Sequence, residues 1–175
     1  MRDREIEVTL SDDEQVHIQY SENSKEYYEI SVSDGNVLTM VNASNKEWTD
    51  YIGGKPSAED RKIVLQVPTA LLDTVTLSTT NEDVSLPVLA VTGSIDISTN
   101  GGNITFESLD VGNTLTLTAK NGDISGTVIG SYDDFAIQSE IKKGDSNLPD
   151  NKDSGDKTLK VSSNNGDVNI EFVAK

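Results

Sequence analysis

The residues best placed to do chemistry lie in a series that returns at nearly equal intervals along the chain. Each follows one of the turn positions 82, 102, 122, 144 and 166, and the series is Asp83, Asn103, Asp123, Asp145 and Asp167. If successive repeats stack as neighbouring strands do, these side chains form one ridge with a spacing of about 4.8 Å. Carboxylate oxygens are the ligands that calcium prefers. The ridge therefore makes Asp83, Asp123, Asp145 and Asp167 candidate ligands for a Ca²⁺ ion held between repeats.

A second interpretation of the ridge needs no metal. Asp and Asn side chains stabilise turns by hydrogen bonding to nearby backbone groups. Stacked carboxylates repel by about 1 kcal/mol per adjacent pair in water, and salt screens part of that repulsion. The sequence also lacks the GGxGxD nonapeptide of calcium-binding β-rolls. Calcium is the one cofactor that the sequence leaves open.

Pairs of strands joined by tight turns must position this ridge. In LTLTAKNGDISG, residues 115–126, apolar and polar residues alternate on both sides of the turn. Alternation with a period of two indicates strands that bury one face. In the first repeat the turn position holds Glu82 instead of glycine. The turn glycines of the other four repeats are Gly102, Gly122, Gly144 and Gly166.

The repeat length predicts the fold class. Units of 20 to 22 residues that cannot bury their apolar face alone are typical of solenoids. We therefore predict a single all-β domain, residues 1–175, with a parallel β-solenoid or β-helix-like stack over residues 61–175. An antiparallel β-sandwich is the alternative. Further apolar residues between the turns, such as Leu89 and Leu109, predict an additional inward-facing side in each coil.

The N-terminal third has a different pattern. EIEVTL, QVHIQY, YYEISVS and NVLTMV alternate apolar and polar residues and are separated by short turn-like segments. Residues 1–60 therefore predict an antiparallel strand cap and a loop that cover the first coil, because an open solenoid end exposes apolar side chains and strand edges. At the other end of the chain, residues 145–157 predict a mobile acidic loop between coils.

Composition excludes several classes of function. Thirty acidic residues against fourteen basic ones give a net charge of −16, which argues against binding to nucleic acid or an anionic membrane. The absence of cysteine excludes disulfides and thiolate chemistry. No apolar segment of the sequence approaches the length of a membrane span, and the N-terminal residues show no signal peptide pattern. Any membrane anchor is expected to lie outside this chain.

Few other residues have the type and spacing of a site. Trp48 and Tyr51 beside two glycines could stack on a sugar ring, although anchoring a loop is the commoner role of such residues. His17, the single histidine, lies in an alternating strand and is expected to face solvent. A hydrolytic triad, a histidine metal cluster and the HExxH and GxSxG motifs are all absent from the sequence. The sequence therefore predicts no catalytic residue and no enzyme.

Longer stretches of the chain carry a resemblance to a known family. The run IVLQVPTALLDTVTLSTTNEDVSL, the repeated strand, Asn-Gly-Asp and strand, and the closing LKVSSNNGDVNIEF resemble the DUF4097 family of candidate adhesins, a bacterial β-repeat family. The resemblance covers residues 61–175 closely and the N-terminal strands loosely. It implies an extracellular or envelope location, often with a membrane segment upstream. This sequence departs from the family in lacking that segment and the turn glycine at Glu82.

These observations predict a non-enzymatic binding module of the bacterial cell surface. Its partner would be a glycan or a protein, bound by a flat face of outward polar residues: Thr76, Ser78, Asp96, Ser98, Thr116, Thr118, Lys160 and Ser162. The competing hypothesis is a structural or signalling ectodomain of an envelope-stress system. A polysaccharide-acting β-helix enzyme comes third.

Overall fold

The structure, a computed structural model, describes residues 3–46, 57, 59–68 and 72–175. Two short 3-10 helices, Glu59–Arg61 and Tyr132–Asp134, accompany fifteen strands in this part of the chain. Strands β1 to β8 are Glu5–Leu10, His17–Gln19, Glu26–Val32, Leu38–Ser44, Lys62–Val67, Val75–Ser78, Val84–Val91 and Ile95–Thr99. Strands β9 to β15 are Ile104–Val111, Thr114–Ala119, Ile124–Ile129, Phe135–Ile141, Asn151–Lys152, Lys157–Ser163 and Val168–Val173. The prediction of an all-β protein is confirmed.

Two mainly parallel sheets form the body of the molecule. Sheet I has seven strands in the order β15-β11-β9-β7-β1-β5-β2, and sheet II has six in the order β13-β12-β14-β10-β8-β6. From β6 to β11 the chain alternates between the sheets, so each repeat contributes one strand to each. Alternating side chains point into the space between the sheets, and the core lies there. The architecture is solenoid-like, built from two sheets.

The strand register preserves the sequence period but not the sequence order. In sheet II, Val75 pairs with Ile95 and Ile95 with Leu115, each twenty positions further on. Leu115 then pairs with Leu159, and Leu159 pairs back to Ile137. The last repeat, β14 and β15, is therefore inserted between the third repeat and β12. Equal spacing along the sequence cannot reveal such an exchange.

The structure gives a physical reason for the exchange. Strand β12 belongs to a repeat that supplies no full strand to sheet I; only Ser146 forms a bridge, to Val168. A repeat with a full strand in only one sheet can cover the end of the stack, but it cannot pair with a further repeat in both sheets. The complete repeat of β14 and β15 can pair on both sides, so it takes the interior place.

The additional inward-facing side predicted for each coil is wrong. Leu89 and Leu109 lie in β7 and β9, the same strands that follow the turns. In β7 the burial pattern shifts at Pro87, so that Leu86 and Leu89 are both buried while Val88 is 55% exposed. The apolar residues between the turns therefore continue a sheet I strand beyond an irregularity.

The antiparallel cap predicted for residues 1–60 also needs correction. Strand β1 lies inside sheet I, parallel to both β5 and β7, with Ile6 opposite Ile63 and Val84. Strand β2 is antiparallel to β5, and β3 and β4 form a separate antiparallel hairpin. The alternation of Ile6 and Val8 indicates a half-buried strand but does not distinguish parallel from antiparallel neighbours.

Candidate functional site

The five residues of the predicted ridge do lie together, at the edge where the chain passes from sheet II to sheet I. Their spatial order is that of the strands: Asp83, Asn103, Asp123, Asp167 and Asp145. Each backbone N–H donates to the side-chain Oδ1 of the residue before it, at 2.7 Å for Asn103, 2.9 Å for Asp123, 2.8 Å for Asp167 and 2.8 Å for Asp145. We call this series the turn ladder.

The turn ladder explains why Asn can replace Asp in one repeat. Both side chains offer an oxygen acceptor at the same position, and the ladder requires an acceptor rather than a charge. A hydrogen bond to a carboxylate is the stronger of the two kinds. In the described residues, no group of three or more His, Cys, Asp or Glu side chains is arranged to hold a metal ion. The calcium site proposed for Asp83, Asp123, Asp145 and Asp167 stays a prediction.

A column of glycines runs beside the turn ladder. A Cβ added to Gly102 would collide with the main chain of Glu82, and one added to Gly122 would collide with that of Gly102. The same relation joins Gly166 to Gly122 and Gly144 to Gly166. The turn glycines are therefore required by close approach of successive backbones. Glu82 is at the start of the column, and its carboxylate forms an ion pair with Arg61.

Asparagines that precede the turns form a second set of contacts that sequence reasoning missed. The amide of Asn165 donates to the side-chain oxygen of Asn121 at 2.7 Å, and the amide of Asn121 donates to the main chain of Asn100 at 3.0 Å. The recurring Asn before the turn glycine was the available signal. Because Asn165 contacts Asn121 across 44 positions, these bonds also follow the exchanged order of the repeats.

The polar face predicted for adhesion is the outer face of sheet II. Its eight residues occupy outward positions of β6, β8, β10 and β14: Thr76, Ser78, Asp96, Ser98, Thr116, Thr118, Lys160 and Ser162. Strand β12 adds Gln138 and Glu140 in the same register. The result is two parallel columns of polar side chains that run along the stack, one through Thr116 and one through Thr118.

The outer face of sheet I is more strongly charged at its β1 and β5 strands. Lys62 forms ion pairs with Glu7 and with Glu5, the latter at 3.5 Å. The hydrogen bond with Glu7 raises the pKa of Lys62 above its usual value. These charged groups already have partners, so they are less available to a ligand than unpaired polar groups.

Residues 145–157 form a cap over the end of the stack at β12 and not the loop between coils that the sequence predicts. Leu148 is buried, and the side chain of Asn147 makes two hydrogen bonds with the main chain of Ile170, at 2.8 and 3.0 Å. Strand β13 pairs antiparallel with β12. Lys152 donates through Nζ to the carbonyl oxygen of Phe135 at 2.8 Å. The polar and charged residues of this segment predict a mobile loop, whereas the buried side chain of Leu148 packs against the core.

A buried charged cluster closes the opposite end. Arg4, 4% exposed, donates through Nε to the hydroxyl of Tyr28 at 2.6 Å, and its guanidinium lies 3.3 Å from Glu26. Lys46 reaches the same carboxylate at 2.7 Å. Burial alone would raise the pKa of Glu26, but the hydrogen bonds and charges of Lys46 and Arg4 outweigh it and hold that pKa below its usual value. The cluster fixes the β3–β4 hairpin to the stack.

Of the remaining sequence candidates, only His17 lies within the described residues. His17 is exposed, as expected, and its Nε2 lies 3.0 Å from Asp13. The hydrogen bond with His17 lowers the pKa of Asp13. Trp48 and Tyr51 lie outside the described residues. In the described part of the chain, no helix is long and apolar enough to cross a membrane.

The fold and the polar face define a class: an all-β repeat protein whose two mainly parallel sheets are joined by glycine turns and which presents columns of polar side chains. The chain belongs to the DUF4097 family, described as Toastrack, whose sequence profile matches residues 1–171. The resemblance inferred from the sequence is thereby confirmed. No curated protein sequence matches this chain significantly.

A solved structure shows the same fold. It is that of a candidate cell adhesion protein from Clostridium sporogenes ATCC 15579, with a TM-score of 0.67 and 12% sequence identity. The similarity covers 98% of this chain and 89% of that chain. At this identity the likeness concerns the fold alone.

Proposed function

We propose that this protein is a non-enzymatic binding module of the bacterial cell surface or envelope. One observation supports the proposal most directly: the outer face of sheet II carries in-register columns of polar side chains across five strands, β6, β8, β10, β14 and β12. A flat array of hydroxyl, amide and charged groups offers many weak hydrogen bonds to an extended partner. The solved structure described as a candidate cell adhesion protein is consistent with this role.

The charge of the molecule narrows the class of partner. A net charge of −16 repels nucleic acids and anionic lipid surfaces, so we propose a surface glycan or a protein as the partner. Membrane contact would then depend on an anchor outside this chain. Enzymatic action is not part of the proposal, and release of new reducing ends from a polysaccharide would overturn it.

A retention experiment tests the proposed role. Purified protein is passed over immobilised bacterial cell-wall polysaccharide, and the retained fraction is compared with that of Thr118→Arg, a change on the outer face of sheet II. We expect retention of the native protein and a severalfold loss in the variant, because the long side chain obstructs the columns. Ser125→Arg on the outer face of sheet I is the matched control and should be retained like the native protein. Equal loss in both variants would contradict a role for sheet II.

The β3–β4 hairpin favours a second candidate function. It exposes several large apolar side chains to solvent: Ile30, Val32, Val37 and Val41. An exposed apolar group of this kind suits contact with another protein, as in a structural or signalling ectodomain. Cross-linking on cells would then recover one membrane protein with the native chain and lose it with Val32→Asp. Retention by polysaccharide that is unaffected by Val32→Asp would favour the first candidate.

A further inference from the structure

The inserted repeat creates a depression that the sequence order does not predict. Lys160 and Ser162 of β14 lie between Thr116 and Thr118 of β10 on one side and the β12 side chains on the other. Had the repeats stacked in sequence order, β14 would have occupied the end of sheet II. The exchange therefore assembles a set of side chains from three strands that are not consecutive in the chain.

The depression has a main-chain floor and polar walls. Its volume is about 300 Å³, at the lower end of the range of small-molecule sites. The floor is formed by Leu117, Val161 and Ser139, whose side chains turn inward. Two polar columns flank it, and they stand two residues apart on each strand, or about 7 Å. The columns are Thr116, Lys160 and Gln138 on one side and Thr118, Ser162 and Glu140 on the other.

Asp150 lies at the border of the depression. The carbonyl oxygen of this residue accepts a hydrogen bond from Ser139 N–H at 2.9 Å. That bond holds the segment beside β12, where β13 continues the pairing. The cap over the end of the stack thus also supplies one wall of the depression.

The polar side chains of the depression have few partners within the described residues. Further along the columns, the hydroxyls of Ser98 and Ser78 hydrogen bond to each other at 2.9 Å. In the depression the polar side-chain atoms of Lys160 and Gln138 make no hydrogen bond or ion pair within the described residues. Glu140 has only Lys142, at 3.8 Å and largely exposed. Donors and acceptors are therefore both available to a ligand.

We propose that this depression binds one unit of a neutral, hydroxyl-rich polysaccharide. A pyranose ring lying on the floor would direct its hydroxyls toward both columns. Each hydroxyl both donates and accepts, which matches a wall that mixes an ammonium, an amide, hydroxyls and two carboxylates. The net charge of the protein disfavours acidic polymers. The inference rests on the proposed function and names the ligand class and the place where it binds.

The larger depression on sheet I is a poorer fit to the same ligand. It measures about 470 Å³ and is lined by Pro87, Glu7, Glu107 and short hydroxyl side chains. No ammonium or amide side chain lines it, and Glu7 is already paired with Lys62. It therefore offers acceptors and hydroxyls but no strong donor, and it serves as an internal control.

Nuclear magnetic resonance of the ¹⁵N-labelled full chain tests the proposal with three probes: cellohexaose, maltohexaose and the hexamer of N-acetylglucosamine. We expect saturable shifts of the Thr116, Lys160 and Gln138 amides with at least one probe. The double variant Lys160→Ala and Gln138→Ala should raise the dissociation constant about tenfold, because it removes two hydrogen-bonding side chains. Because both substituted side chains are exposed, the variant should remain folded. A dispersed spectrum checks that it does.

The control variant is Thr76→Ala with Asp96→Ala, on the same columns but outside the depression. Its dissociation constant should stay within about twofold of the native value. Equal weakening by both variants, or shifts confined to sheet I, would show that the polysaccharide does not bind in this depression. Either result would leave the polysaccharide-binding function itself intact. Absence of shifts with all three probes would overturn the inference, and if the native protein also fails to be retained by cell-wall polysaccharide, the proposed function fails with it.

Discussion

The two ends of the stack are closed by different chemistry. At the near end, where β1 and β5 extend sheet I, the contacts are charged: Arg4 with Glu26, and Arg61 with Glu82. At the far end, where β12 and β13 end sheet II, an apolar side chain and main-chain contacts cover the core; Leu148 is 8% exposed. One end therefore depends on ionisation and the other on burial.

This difference follows from how each end is made. The near end receives a hairpin that contributes little to the main core, and charged groups fix it in place. The far end is covered by residues 145–157, an internal segment held in place because the last repeat is inserted beneath it. Conditions that neutralise carboxylates should thus loosen the near end first. Truncations of buried apolar side chains should loosen the far end.

The largest expected effect concerns the glycine column that connects the two ends. Gly122→Ala places a Cβ inside the main chain of Gly102, which cannot move without shifting the stack. We expect a loss of about 3 kcal/mol, the upper end of the usual overpacking cost, because the obstacle is backbone. For a domain of this size that corresponds to a fall in melting temperature of about 6–12 °C. Differential scanning calorimetry measures it.

Gly35→Ala is the matched control for this change. Gly35 lies between β3 and β4, and the nearest atom to an added Cβ is Ser33 Oγ at 3.8 Å. Its effect should be within about 0.5 kcal/mol. A melting temperature for Gly122→Ala that matches that of the control would show that the backbones are further apart than the structure places them.

The next largest effect is expected at the far end. Leu148→Ala removes the buried side chain of the cap, with an expected cost of about 2 kcal/mol for a large-to-small change at a nearly buried position. Val173→Ala, 48% exposed at the same end, should change stability by less than about 0.5 kcal/mol. Urea denaturation of both variants at neutral pH gives the comparison.

Limited proteolysis examines the same cap in a different way. The carbonyl oxygen of Ser154 accepts from Lys152 Nζ at 2.6 Å, and Gly155 packs against the main chain of Phe135. The Ser154–Gly155 bond should therefore resist a low-specificity protease in the native protein and become susceptible in Leu148→Ala. Rapid cleavage of the native chain at this bond would instead support the mobile loop that the composition of residues 145–157 predicts.

The contrast between the ends also shows what could be predicted from the sequence. Alternation and the spacing of Gly102 and Gly122 predict strands that stack in repeats and favour a parallel arrangement, because both patterns recur in successive repeats. The exchanged order of the last repeat is not local: it depends on which coil lacks a strand in sheet I. The depression beside Lys160 depends on that order, so no property of Lys160 in the sequence could have revealed it.

The near end should respond to acid. The pKa of Glu26 is held below its ordinary value, so its ion pairs stabilise the folded state above about pH 4.3 and that contribution is lost as the pH falls through the folded-state pKa. Glu26→Gln should cost about 1–2 kcal/mol at pH 7, between the values for exposed and buried pairs. The difference from the native protein should shrink toward about pH 3. Urea denaturation across this range follows it.

Glu29→Gln, an exposed carboxylate on the same strand, is the control for pH. Its stability should follow that of the native protein at every pH. A constant difference between Glu26→Gln and the native protein from pH 7 to about pH 3 would mean that the near end does not depend on the charge of Glu26.

The smallest expected effect belongs to the turn ladder, which both ends share. Asp123 Oδ1 accepts from Asp167 N–H, so Asp123→Ala removes one hydrogen bond and should cost about 1 kcal/mol. Asp123→Asn keeps an acceptor in place, as Asn103 does one strand away, and should be nearly neutral.

Thermal melts of the native protein in calcium and in chelator, at matched ionic strength, test whether the turn ladder binds calcium. We expect equal melting temperatures in the two buffers, because one carboxylate oxygen of each of Asp83, Asp123 and Asp167 is already engaged by a backbone N–H group. A calcium-dependent rise in the native protein that disappears in Asp123→Asn would instead show that the charge of the ladder, and not only its hydrogen bonds, has a function.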